Sequence, residues 1–134
     1  YAEVLNEVNG RPTDEAYRMV NEVRQRVGLS ELPTKMNHNQ FLEAVLRERA
    51  LELGFEEVRW FDLVRRNRQN DFKKKLYGLR SRGNDLNHPT EFTFEKVELE
   101  DHYWATNWDT KWYLAPIPQD EINKNYGMTQ NPGW

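Results

Sequence analysis

Glu48 and Glu52 stand four residues apart, with Glu56 one turn further on. On a helix, residues four apart share a face, with Cβ atoms about 5–6 Å from each other. A retaining glycoside hydrolase holds its two carboxyl groups about 5–5.5 Å apart. The spacing therefore permits general acid–base work on a glycosidic bond. That chemistry needs both carboxylates open in a cleft and without arginine partners. Arg47, Arg49 and Arg59 lie close in sequence, and Arg59 and Asp62 stand three residues apart. The weightier reading is a structural ion-pair network tying two helices together, since such networks imitate catalytic clusters.

A second group is aromatic. Tyr103, Trp104, Trp108, Trp112 and Tyr113 crowd into residues 103–113. Such rings offer apolar faces to sugar C–H groups and a polar N–H or O–H at the edge. Packing of the second half of the chain is the competing account. Trp108, between Asn107 and Asp109, is the ring that packing explains least. The candidate ligand-binding residues are Trp108, Trp104 and Tyr103. The three histidines, His38, His88 and His102, lie far apart and have no zinc-like spacing. No metal site is expected, and the chain lacks a phosphate-cradling glycine loop or a nucleophile elbow. Eight basic residues and one acid, Asp71, lie from Arg65 to Arg82. Such a run contacts phosphates in some proteins. Here eight acids follow over residues 91–121, so a solvated, neutralised face is expected and no nucleic-acid partner.

Composition narrows the classes further. The 134 residues carry 19 Lys+Arg and 22 Asp+Glu, a net charge of -3. That balance speaks against a dedicated nucleic-acid binder. No apolar run approaches the roughly 20 residues of a membrane helix. The absence of cysteine excludes disulfides, thiol catalysis and thiolate zinc sites. Aromatics at 13% argue against full disorder.

The elements that must position these residues are mainly helical. Tyr1-Ala2-Glu3-Val4-Leu5 begins like the middle of a helix, without a capping residue or signal peptide, so the chain is expected to be a piece of a longer one. Gly10 and Pro12 end that segment. Thr13 is the expected N-cap of the next helix, followed by Asp14 and Glu15 in its first turn. Ala16, Val20, Val23 and Val27 recur on one face, and Gly28 stops the helix. After a loop over 30–34, Asn37 and Gln40 suggest a capping box. Leu42, Leu46, Arg49 and Leu53 share a face there, flanked by Phe41, Val45 and Ala50. Gly54 weakens the helix. A short helix is expected over 59–66, with Trp60, Leu63 and Val64 on its apolar side. The short connections predict two antiparallel helical hairpins. Residues 68–90 are expected to be irregular, turning loop-like at Gly83-Asn84-Asp85 and His88-Pro89. Phe92, Phe94 and Val97 hint at a strand, and Pro118 is placed to start a short helix. Residues 125–134 form a polar tail.

Five blocks resemble a known family. They are Tyr1-Ala2-Glu3-Val4-Leu5-Asn6-Glu7; Ala16-Tyr17 with Val20-Asn21-Glu22-Val23-Arg24-Gln25-Arg26-Val27-Gly28-Leu29; Phe41 to Glu56 with its Arg47-Glu48-Arg49-Ala50-Leu51-Glu52-Leu53 centre; Arg59-Trp60-Phe61-Asp62-Leu63-Val64-Arg65-Arg66; and Leu114-Ala115-Pro116-Ile117-Pro118 with the closing Gln130-Asn131-Pro132-Gly133-Trp134. In this order they resemble the SusD/RagB family of cell-surface nutrient-binding lipoproteins. Gly54 departs from the family's usual Ala, and Glu57-Val58 from its usual Gly-His; both changes fall at the turn between helices.

The resemblance implies a mainly α fold of tetratricopeptide-like helical hairpins with an irregular C-terminal cap containing short strands. Residues 1–134 would be the family's C-terminal domain: 1–28 the last hairpin of the array, 37–67 a further hairpin, and 68–134 an aromatic-rich cap. The function implied is capture of oligosaccharides, or peptides in some members, for a SusC-like TonB-dependent transporter. The location implied is the cell outer membrane, surface-exposed, with a lipid anchor N-terminal to these residues. No catalytic residue and no cofactor are implied. Glu48, Arg49, Glu52, Arg59 and Asp62 would form a buried polar network. The first helix would expose an apolar side meant for preceding repeats. A helical scaffold that binds proteins without a small ligand is the alternative.

Overall fold

A computed structural model describes residues 1–83 and 92–134. His88 and the turn residues Asn84, Asp85 and Pro89 lie outside them. The chain forms two compact units, 1–62 and 63–134.

The first unit is helical. Helix α1 spans Ala2–Asn9 and closes on Gly10, whose φ of 65° is the left-handed cap that glycine adopts without strain. Helix α2 spans Asp14–Arg26, and the Thr13 hydroxyl accepts from Ala16 N at 3.1 Å. Helix α3 spans His38–Glu52. Its capping box is complete, since Asn37 and Gln40 each accept the other's backbone N–H at 2.9 Å. Helix α4 spans Val58–Arg65. The expected caps are therefore all in place.

Ala2, Ala16, Val20, Leu32, Phe41 and Val45 form the core, with Tyr17 and Met36 packed against it. Full burial of a side chain such as Phe41 contributes about 1.5–3 kcal/mol. Tyr17 also meets the Phe41 ring edge-on at 4.9 Å, and its hydroxyl accepts from Met36 N. Asn21 Oδ1 accepts from Leu32 N. Two α2 side chains thus pin the loop that leads into α3.

Two apolar faces differ from expectation. Val27 is 52% exposed because α2 ends at Arg26, one residue before it. On α4 the fully buried residue is Asp62, with Leu63 and Val64 half-buried and Trp60 36% exposed. A paired carboxylate takes the inward position there. Val4 and Val8 of α1 are exposed.

The second unit carries the aromatic residues. Helix α5 spans Gln69–Phe72, strand β1 Tyr77–Gly83 and strand β2 Phe92–Glu98. The strands pair antiparallel, with Leu79 opposite Lys96 and Ser81 opposite Phe94. Strand β1 corrects the expectation of an irregular basic stretch: its charges alternate with Tyr77 and Leu79 at the period of a strand. Helix α6 spans Tyr103–Asn107, a 3-10 turn spans Thr110–Tyr113, and α7 spans Gln119–Lys124 after Pro118.

The fold is mainly helical, of tetratricopeptide-like hairpins with a two-stranded sheet in the C-terminal part. Among the described residues, no helix is long and apolar enough to cross a membrane.

Candidate functional site

Phe41, Val45, Glu48 and Glu52 follow at helical spacing, so one face of α3 begins apolar and ends acidic. Its last two turns meet the basic end of α2. Glu48 pairs with Arg24, and both side chains are more than four-fifths covered. Arg24 is oriented further by its Nε–H, which donates to Ser30 O at 2.7 Å. Glu52 takes both its bonds from Arg26, at 2.6 and 2.7 Å. A cleft of about 270 Å³ lies beside them, lined also by Tyr1, Met19, Val23 and Leu53. Both carboxylates therefore line a cleft, but each is held by an arginine. The condition for paired-carboxylate chemistry on a sugar is not met.

The adjoining face of α3 reaches α4. Arg49 Nε donates to Asp62 Oδ2 at 2.8 Å, with the Asp62 side chain 3% exposed. Arg59 donates to Leu46 O at 3.3 Å. The five network residues thus divide into two groups: Glu48 and Glu52 bind α2, while Arg49, Asp62 and Arg59 join α3 to α4. One part of the expectation is corrected. Glu52 and Arg59 are exposed and the Arg49 side chain is 38% exposed, so only Glu48 and Asp62 are well covered. Arg24 and Arg26 are the members that sequence reasoning missed. Continuing the Phe41–Val45 stripe into Glu48 and Glu52 would have required two cations on the facing helix.

The aromatic group is a packed cluster within the second unit. Trp108 lies flat on Phe72, with centroids 4.4 Å apart and planes within 7°. It also meets Trp104 edge-on at 5.8 Å and Tyr113 at 5.2 Å. Trp104 stands edge-on to Phe72 at 5.7 Å. Packing therefore accounts for Trp108, against the expectation that it explained this ring least. Phe72 is the missing partner, one of two aromatics inside the basic run, with Tyr77. Tyr103 is different: it touches Trp112 edge-on at 6.1 Å and remains 65% exposed. Of the three candidate ligand residues, Tyr103 keeps the most open ring.

The basic run is largely neutralised. Arg68 and Lys74 both hold Asp71, whose side chain is 9% exposed. Burial raises the Asp71 pKa, but the hydrogen bonds from Lys74 and Arg68 outweigh it and hold the carboxyl below 3.8. Lys75 reaches Glu98 at 3.0 Å and Asp101 at 2.9 Å. His102 Nε2 lies 3.1 Å from Lys74 O, and His38 Nε2 lies 3.4 Å from Glu7. Among the described residues, no group of three or more His, Asp or Glu is placed to hold a metal ion.

Comparisons with known proteins agree in one direction. The family model described as the SusD family matches residues 1–134. Two curated relatives come from Formosa agariphila. SusD-like protein P38 is 37% identical over 86 residues, covering 58% of this chain and 17% of its own length. SusD-like protein P2 is 29% identical over 141 residues, covering 99% of this chain and 23% of its own. The chain thus spans about a quarter or less of these relatives. A SusD-like protein of Bacteroides fragilis superposes with a TM-score of 0.77 at 29% identity, over 99% of this chain and 23% of that one. A SusD homologue of Bacteroides thetaiotaomicron superposes at 0.69 and 28% identity, over 100% of this chain and 25% of that one. With its whole length matched by the family model and its fold shared with two solved members, the chain belongs to the SusD family.

Proposed function

We propose that this chain is the C-terminal domain of a cell-surface nutrient-binding protein, which captures oligosaccharides or peptides and delivers them to a SusC-like TonB-dependent transporter. The observation that carries the reading is the family match along residues 1–134. In this reading the protein binds and does not catalyse. The arginines on Glu48 and Glu52 support that, because each carboxylate is already engaged by a cation of the same unit. The protein sits on the outer membrane through a lipidated cysteine, a residue these 134 do not include.

Among Tyr103, Trp104 and Trp108, direct ligand contact falls first to Tyr103, whose exposed ring is offered to a sugar face. The ring it packs on is Trp112, met edge-on at 6.1 Å. Tyr103→Ala is expected to lower affinity by about 1–3 kcal/mol while leaving the melting temperature in place. Calorimetric titration with the retained ligand checks this, and unchanged affinity rejects the assignment.

The wider test is a pull-down of the tagged protein from detergent-solubilised outer membranes, with mass spectrometry of proteins and small molecules. A TonB-dependent barrel near 1:1, with a glycan or peptide, is the expected result. Neither barrel nor ligand would favour a protein-binding scaffold, the reading that the exposed Val4 and Val8 would then support.

A further inference from the structure

We infer that Gln130–Trp134 is a strap that opens as its own unit and, on opening, uncovers Trp112. The segment it holds runs from the 3-10 turn into α7. Pro116 and Pro118 deny that segment two main-chain donors, so it has no ladder to join. The strap supplies side chains instead. Gln130 Oε1 accepts from Ile117 N at 2.7 Å, and its Nε2 donates back to Ile117 O at 2.8 Å. Asn131 Nδ2 donates to Ala115 O at 2.7 Å. Trp134 Nε1 donates to Leu114 O at 2.9 Å and Lys111 O at 3.2 Å. Among the described residues, every hydrogen bond between the two segments uses a strap side chain.

The geometry that delivers Trp134 depends on Gly133. Its φ is +89°, and a Cβ there would stand 2.9 Å from Lys111 Cβ. Trp134 then meets Trp112 edge-on at 5.0 Å, with Lys111 Nζ 4.6 Å over its ring. The other ring neighbours of Trp112 are Tyr103 and Trp104, on α6. Among the described residues, Trp134 is thus the one ring contact of Trp112 that comes from outside residues 103–113. The Trp112 indole N–H is buried and has no hydrogen-bond partner among the described residues. Lifting the strap gives this donor and its ring to whatever lies outside.

A segment held by side-chain bonds, with Trp134 already 39% exposed, belongs to the low end of local opening energies. Hydrogen exchange followed by NMR on the intact protein tests this. In Gln130→Ala, the Ile117 amide and the Trp112 indole N–H should exchange faster together, by about tenfold. The Trp108 indole and the amides of β1 and β2 should keep their rates. Acceleration of all these groups together would make the strap part of the core and overturn the proposal. Acceleration at Ile117 with Trp112 unchanged would also overturn it. Asn131→Ala removes only the bond to Ala115 and decides the matter if Gln130→Ala does not fold. It should produce the same paired response on a smaller scale, and an unchanged Trp112 rate would count against the strap.

Discussion

Arg49 and Trp108 illustrate two ways in which a single residue holds this fold. Asp62 is 2% exposed, and a buried carboxylate stays charged only when partnered. Removing a partner from a buried pair costs roughly 3–5 kcal/mol. Arg49 is itself 38% exposed, so the low end or less applies. Arg49→Ala is expected to lower stability by about 2 kcal/mol and leave ligand affinity unchanged. Thermal melting beside a binding titration checks this, and a stable variant that no longer binds would move Arg49 into the ligand site. For Trp108, stacked on Phe72, truncation to Ala should cost about 3 kcal/mol or more. Urea unfolding in the absence of ligand measures that loss, and an unperturbed midpoint would show the cluster is not a core. These roles were unevenly legible. Glu48, Glu52 and Asp62 announced themselves as charges on helical faces, whereas Arg24 acts on Glu48 from 24 residues upstream. Phe72 is likewise distant from Trp108 in the chain, and no local pattern joins them.

At the scale of elements, local chemistry was readable where it is self-contained. The caps at Thr13 and Asn37 and the stop at Gly10 depend on neighbours within four residues, so spacing alone revealed them. Asn37→Ala removes the Oδ1 that accepts from Gln40 N and is expected to destabilise the first unit by about 1 kcal/mol, with Asn37→Gly costing only a few tenths. Chemical denaturation of the pair of variants checks the order. Strand β1 was hidden because Tyr-Gly-Leu-Arg-Ser-Arg-Gly has two glycines and follows three consecutive lysines, and its register comes from β2. Turn α5–β1 depends on Asp71 between Arg68 and Lys74. With its folded pKa below 3.8, Asp71 binds a proton more readily in the unfolded chain. Its contribution is whole above about pH 4 and is lost as pH falls through the folded value. Asp71→Asn should therefore flatten that acid limb, as followed by exchange of the α5 amides against pH.

For the molecule as a whole, the helical class and the family blocks were legible, and the expected boundary between 37–67 and 68–134 lies a few residues beyond the division at 62, which cuts through α4. Charge balance at this scale predicts a response at the other end of the pH range. Hydrogen bonds to Asp101 and Glu98 raise the Lys75 pKa above 10.5, and that of Asp101 falls below 3.8. The stability this lysine brings is present below pH 10.5 and lost as pH rises through its folded value. All three groups are on the surface, so added salt should weaken the effect, and an alkaline melting series at two ionic strengths reads it. The crowding of indoles has an optical consequence. Trp104, Trp108 and Trp112 stand within about 6 Å of a neighbouring indole, and Trp134 lies 5.0 Å from Trp112, while Trp60 alone represents the first unit. Chromophores this close share their excited states, so near-ultraviolet dichroism and emission belong almost wholly to residues 63–134. Far-ultraviolet dichroism follows mainly α1, α2 and α3. Two wavelengths thus watch two halves of one chain, and transitions that fail to coincide would reveal them melting separately.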